Sequence, residues 1–282
     1  MIKRYLQYSF VILCCLTSAC SRHPEQHAQG YIEGRYTYIA TPVSGVLEAL
    51  YVDRGSFVKK GQQLFSLQMQ PESDEYDAAL ENYRASIAAR DTVLSNITYA
   101  KITFERYKVL VPKRALEQSA LDQAQSNYKA LLADLDQANA NIESTKALLA
   151  QAKWTKDQKI VYAPVDGIVF DRFYRLGEYT IANQAILSLL APRDIKAIFY
   201  IPEPDLSRIQ LNDEIKIKLD DQTVLGRISF ISPVEEYTPP VIYSTETNYK
   251  LIYRIEAVFN ASDALKLHPG QPVTVLYTPH AR

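Results

Sequence analysis

One short β-type motif occurs twice in this sequence, with a long stretch of different character between the copies. Residues 39–68 read IATPVSGVLEALYVDRGSFVKKGQQLFSLQ, and residues 161–190 read VYAPVDGIVFDRFYRLGEYTIANQAILSLL. Laid over each other without a gap, Pro42 falls on Pro164, Gly45 on Gly167, Gly55 on Gly177 and Leu67 on Leu189, and Gln62 and Ser66 meet Gln184 and Ser188. Within the first copy, Val43, Val46 and Leu47, then Leu50 and Val52, predict two strands around a bend at Ser44-Gly45. Asp53-Arg54-Gly55 and Lys59-Lys60-Gly61 predict turns, because glycine reaches φ > 0 without a Cβ clash. One such half has too little apolar surface to stand alone as a small sandwich, and a second copy completes it. The chain must therefore bring the copies together across the segment that separates them.

That segment opens with Pro71-Glu72-Ser73-Asp74-Glu75, proline followed by acidic residues, which is how a helix begins. Tyr76, Leu80, Tyr83, Ile87, Leu94, Ile97, Phe104 and Val111 then recur on alternating steps of four and three, although the same seam passes Arg90, Lys101 and Lys108. Pro112 ends the helix, since it lacks an N–H and clashes with the preceding turn. The pattern resumes through Leu121, Ala124, Tyr128, Leu131, Leu135, Ala138, Ile142, Leu149 and Ala152, with Thr145 its polar member. Two heptad helices joined by a short proline-containing link predict an antiparallel coiled-coil hairpin, roughly 60 Å long at 1.5 Å per residue. That length exceeds what the β motif needs, so the hairpin reaches for a partner. Trp154 is expected to pack near the root of the second helix.

From Ile195 onward the pattern is all β. Ile195, Ala197, Phe199 and Ile201 alternate with polar residues, as do Ile215, Ile217 and Leu219, and later Val273, Val275 and Tyr277. A short helix is expected after Pro202, and further strands around residues 228–231 and 249–259. Closely spaced strands of this kind predict a small closed β-barrel.

At the other end, Lys3 and Arg4 precede an apolar run that is too short to span a bilayer and ends Leu16-Thr17-Ser18-Ala19-Cys20. A run of this kind reads as a signal peptide, and its end resembles a bacterial lipoprotein signal with Cys20 as the lipidated residue, although Thr17 stands where leucine is usual; a plain signal peptide or an uncleaved anchor is the alternative. Residues 21–30 are polar and read as a tether, with a strand around residues 34–39 leading into the first copy. The three cysteines, Cys14, Cys15 and Cys20, all belong to this leader, so the body has neither a disulfide framework nor a thiolate metal site. The formal net charge of −1 gives no basis for nucleic-acid binding.

The sequence as a whole resembles the HlyD-type periplasmic adaptor, or membrane fusion, proteins. Ala163-Pro164-Val165-Asp166-Gly167-Ile168-Val169 is similar to the re-entry signature of these adaptors, and Pro269-Gly270-Gln271-Pro272-Val273 to the element near the end of their barrel. Ile231-Ser232-Pro233 and Tyr237-Thr238-Pro239-Pro240, ahead of Tyr253-Arg254-Ile255, resemble the branch serving ABC-type exporters. The resemblance implies an α+β multidomain chain. Residues 1–20 are the signal peptide, 21–38 the tether and first strand, 39–70 and 158–192 the halves of a lipoyl-like sandwich, 71–157 the hairpin and 193–280 the barrel. It also implies a ring of copies that links an inner-membrane exporter to a TolC-like outer-membrane channel. Such hairpins dock on the channel through an arginine, a leucine four residues on and a serine seven further; Arg106 and Leu110 match, and Glu117 stands at the serine position. Ser21 after Cys20 favours the outer membrane by the usual sorting rule, the family function the inner one, and the inner is expected here. A structural envelope lipoprotein with a scaffold hairpin is the alternative.

No enzyme motif is present: there is no G-x-S-x-G, H-E-x-x-H, P-loop or G-x-G-x-x-G, and no zinc-like spacing among His23, His27, His268 and His280. Carrier domains of lipoyl type present a modified lysine on the turn joining their halves, and here the hairpin replaces that turn. Lys59 and Lys60 lie within the first half and read as solvated turn residues. No catalytic residue, cofactor or metal is expected.

Overall fold

The structure is a computed structural model and describes residues 25–219, 222–237 and 251–280. The expected signal peptide, the lipidation at Cys20 and the Thr238-Pro239-Pro240 element lie outside the described residues. In chain order the elements are β1 (Gln26–Ala40), β2 (Gly45–Leu50), β3 (Phe57–Val58), β4 (Gln63–Leu67), α1 (Glu72–Leu110), α2 (Gln118–Asp157), β5 (Ile160–Tyr162), β6 (Gly167–Arg172) and β7 (Tyr179–Thr180). There follow β8 (Ala185–Pro202), α3 (Glu203–Leu206), β9 (Glu214–Leu219), β10 (Gln222–Tyr237), β11 (Leu251–Phe259), α4 (Ala261–Ala264) and β12 (Pro272–Tyr277). Two compact units result. One comprises Tyr38–Val165 and Asp171–Ser188; the other comprises the described residues before Tyr38, Asp166–Phe170, and those from Leu189 onward.

In the first unit the repeat is realised as a pseudo-twofold. β7 of the second copy pairs with β2 of the first, Gly45 opposite Thr180 and Val46 opposite Tyr179, within the sheet order β5-β4-β2-β7. Hydrogen bonds recur at equivalent places. Gly61 N–H donates to the Ala163 carbonyl at 2.8 Å, and Asn183 N–H donates to the Thr41 carbonyl at 2.8 Å. Likewise Tyr51 N–H donates to Leu64 O and Phe173 N–H to Ile186 O, both at 2.9 Å. Each copy's turn is thus closed on the other copy's first strand, which is why neither half is complete alone. Backbone conformation repeats too, with φ of +85° at Gly55 and +84° at Gly177, and +81° at Gly61 where the second copy has Asn183 at +64°. Asparagine is one of the few residues other than glycine that visits this left-handed region readily. Leu47, Val58, Leu64, Phe65, Leu67, Ile186 and Leu187 fill the core between the copies.

Between the copies, α1 and α2 run antiparallel as a hairpin. α1 starts behind Pro71 with Glu72, Asp74 and Glu75 in its first turn, which complement the helix dipole, and it stops two residues short of Pro112. The α2 seam lies where expected, from Leu121 through Ile142 to Ala152. On α1 one column of the expected seam, Tyr83, Arg90, Ile97, Phe104 and Val111, is shielded, whereas the other column is displaced by one residue. Ser86, Val93, Ala100 and Tyr107 face α2 in place of Ile87, Leu94, Lys101 and Lys108; Ser86 and Ala100 are buried, while Leu94 is exposed. The shift leaves Lys101 and Lys108 in solvent, where an ammonium belongs, and sets small residues where the helices approach. Ser86 Oγ lies 2.9 Å from Thr145 Oγ1, so the polar member of the α2 seam has a partner across the hairpin. Trp154 is exposed and does not pack at the root as expected.

In the second unit the antiparallel pairings β1–β12, β12–β9, β9–β10, β10–β11 and β11–β8 form a continuous run, and β1 also pairs with β8, so the order returns to its first strand. Alternate residues of these strands, among them Ile32, Ala197, Phe199, Ile201, Ile215, Ile217, Ile255 and Val275, form one core. The segment read as a tether up to Gly30 enters this sheet at Gln26, where Gln26 to Tyr31 pair with Tyr277 to Pro272. Its outward residues are polar, and that concealed the strand. Burial and the neighbouring Tyr31 push the Tyr200 phenol up to about 12, and burial followed by the hydrogen bond to Asp205 raises that of Tyr277. Both groups hold their protons longer when folded than the ordinary tyrosine of about 10 does unfolded, so their contribution is intact below that value and is lost as pH rises through the folded one. Urea midpoints measured from pH 9 upward should therefore fall beyond pH 10, and less steeply in Tyr200→Phe.

Candidate functional site: the hairpin, its root and its tip

The root is a buried charge clamp. Lys159, two residues past α2, is 2% exposed, and its Nζ lies 2.7 Å from Glu72 Oε1 at the start of α1. The same Nζ donates to the Ser44 carbonyl at 2.9 Å, at the bend of the first repeat copy. The Lys159 carbonyl accepts from Leu67 N–H at 2.8 Å, and Thr41 Oγ1 donates to the Gln158 carbonyl at 2.9 Å. A Cβ on Gly45 would stand 2.9 Å from the Lys159 ammonium, so the glycine of the motif makes room for the clamp. Lys159, Glu72 and Ser44 thereby tie together the end of one helix, the start of the other and the β motif. A sequence scan for chemistry missed Lys159, because a lysine at a helix end ordinarily reads as a solvated partner of the helix dipole.

Along the hairpin, aromatic contacts hold the helices in register. Phe104 stacks on Tyr128 with centroids 6.1 Å apart, and the Lys156 ammonium sits 4.5 Å from the Tyr76 ring centroid near the root. At the tip, Leu110 closes α1, Arg114 takes a left-handed φ of +56°, and Glu117 is the extended residue that starts α2. Arg106 and Leu110 are one helical turn apart; Arg106 and Glu117 are exposed, and Leu110 is half-buried. The Arg106 side chain makes no hydrogen bond or ion pair among the described residues, and Lys113 and Arg114 of the link are exposed as well. The tip thus exposes the basic side chains of Arg106, Lys113 and Arg114, with Glu117 the acidic one at the start of α2.

Among the described residues no group of His, Cys, Asp and Glu is arranged to hold a metal ion, and no helix is long and apolar enough to cross a membrane. His280, the histidine with a close carboxylate, lies 3.0 Å from Asp213 and helps close the end of the second unit.

No family model matches the sequence. A UPF0194 membrane protein of Enterobacter sp. strain 638 is 29% identical, over 88% of this chain and 87% of its own length. Among solved structures, MacA from Actinobacillus actinomycetemcomitans superposes with a TM-score of 0.72 at 18% identity, over 90% of this chain and 78% of that one. The membrane fusion protein Spr0693 from Streptococcus pneumoniae R6 does so with a TM-score of 0.63 at 15% identity, over 91% of this chain and 100% of that one. The chain is thus similar over most of its length to UPF0194 membrane proteins, and it has the fold seen in MacA and in the membrane fusion protein Spr0693.

Proposed function

We propose that this chain is the periplasmic adaptor of a tripartite efflux or secretion system, linking an inner-membrane exporter, of ABC type, to a TolC-like outer-membrane channel. The observation that carries the reading is the hairpin itself: two helices of 39 and 40 residues leave and re-enter one small β motif through a buried clamp. A rigid arm of that length has no use within its own fold. In this reading residues 39–70 and 158–192 are the halves of a lipoyl-like sandwich, with 71–157 the hairpin and 193–280 a small β-barrel. Residues 1–20 are a signal peptide, and Cys20 carries the lipid that anchors the chain in the inner membrane. Arg106, Leu110 and Glu117 contact the channel, with Glu117 in place of a serine changing the usual docking chemistry. Copies assemble side by side as a ring, and the partner exporter supplies the energy.

Deleting residues 109–116 should abolish export of the system's substrate while the purified protein keeps its helical content and its oligomeric state. Undiminished export together with a failing envelope would replace the adaptor reading with that of a scaffold lipoprotein.

A further inference from the structure

A recess of about 320 Å³ lies in the wall of the second unit, lined by Glu214, Leu225, Arg227, Val258, Phe259 and Asn260. Strand register orders these residues. Arg227 on β10 is opposite Glu214 on β9 and opposite Val258 on β11, so the three stand in one row across the wall. In the next row Gly226 pairs with Phe259, and a Cβ on that glycine would stand 3.4 Å from Phe259 Cε1, so the phenyl ring lies against it. Leu225 follows at the level of Asn260, the residue after β11, and is 57% exposed. Charge thus stands on one side of the recess, with apolar surface and a single amide on the other.

The polar groups have bonding capacity left over. Arg227 Nη2 is 3.9 Å from Glu214 Oε1, at the outer limit of an ion pair, and both side chains are largely exposed. A pair held so loosely contributes about 0–1 kcal/mol, so a ligand can part it at little cost. The guanidinium keeps its planar fork for a carboxylate, and the Glu214 carboxylate keeps acceptors for an ammonium. Lys216, on the same face of β9, is by contrast committed to Glu25 at 2.7 Å. Asn260 is the N-cap of α4, where an asparagine side chain ordinarily accepts from the first turn of the helix. Here it makes no such bond and lines the recess instead. An anion alone would meet Glu214, and a cation alone would meet Arg227. A wholly apolar molecule would strip water from both and give nothing in return. A zwitterion with an apolar arm satisfies every wall.

We infer that this recess is a binding site for a zwitterionic α-amino acid with an apolar side chain. Its carboxylate lies on Arg227, its ammonium on Glu214 and the Asn260 side-chain carbonyl, and its side chain against Leu225, Val258 and Phe259. A space of about 320 Å³ is at the lower end of ligand pockets, which suits one amino acid and not a longer peptide. The site uses residues of the second unit alone, so it stands or falls independently of the adaptor reading.

Saturation-transfer NMR and calorimetry on the purified full-length protein, with L-leucine as the probe, test the assignment. L-leucine should bind. N-acetyl-L-leucine, which lacks the ammonium, and L-leucinamide, which lacks the carboxylate, should each bind at least about tenfold more weakly, because each leaves a charged partner unpaired. Arg227→Gln and Glu214→Gln should weaken L-leucine by a similar factor. Both positions are exposed, so the urea midpoint of the second unit should stay at the parent's value. Phosphoethanolamine, a zwitterion of lipid headgroups without the apolar arm, should bind more weakly than L-leucine, and Leu225→Asn should narrow that difference. Equal binding of the three leucine compounds would overturn the assignment, as would tighter binding of phosphoethanolamine. So would L-leucine binding that survives Arg227→Gln combined with Glu214→Gln, or no binding at all to a protein that unfolds at the parent midpoint.

Discussion

Replacing Lys159 by methionine should destabilise the hairpin-bearing unit by about 3–5 kcal/mol, because removing one partner of a buried pair leaves the other charge uncompensated. Glu72, whose side chain is 16% exposed, would keep one oxygen already lacking a partner and lose the ammonium from the other. The Ser44 carbonyl would lose its donor at the same time. For a unit of this size the melting temperature should fall by about 10 °C, read by circular dichroism at the helix band. The double variant Lys159→Met with Glu72→Leu should recover most of the loss, since an apolar pair of similar volume is often as stable as a buried ion pair. An unchanged melting temperature in the single variant would show that the clamp contributes nothing. If the double variant is worse than the single one, the pair is held by packing and not by charge.

Gly30→Ala should be nearly as severe, although its cause is steric. A Cβ there would lie 2.3 Å from the Ile198 carbonyl oxygen and 2.8 Å from Phe199 Cβ. That backbone is not free to retreat, because Ile198 and Phe199 are paired on β11 with Glu256 and Ile255. Overpacking of this kind costs about 1–3 kcal/mol, and more when backbone is the obstacle. The urea midpoint of the second unit should fall by a corresponding amount, while Gln26→Ala on the same strand, exposed, should stay within about 0.5 kcal/mol of the parent. Equal midpoints for Gly30→Ala and the parent would mean that β1 and β8 are not in close contact at this point.

These two sites show where sequence reasoning reaches its limit. The repeat was legible because its copies align without a gap, and the turns at Gly55, Gly61 and Gly177 follow from what glycine permits. The hairpin was legible because Pro71 and Pro112 bracket a heptad pattern that resumes beyond the link. One column of the α1 seam was placed a residue away from its true position. Steps of three and four allow two adjacent columns, and hydrophobicity alone favours Ile87 and Leu94 over Ser86 and Ala100. Close approach of a second helix favours the small residues, and that is a property of the pair. At the tip, Arg106, Leu110 and Glu117 could be named from spacing, while the unpartnered state of Arg106 needed coordinates.

The sequence by itself determined that two β half-motifs must meet, that a long antiparallel hairpin separates them, and that a β unit follows. Each of these rests on local periodicity or turn chemistry, which is written in neighbouring residues. Only the tertiary structure decided that Gln26 to Gly30 belong to the sheet, and that Lys159 is buried against Glu72 and Ser44. Those facts depend on groups far apart in the chain, whose energetics appear only when folding removes water from between them.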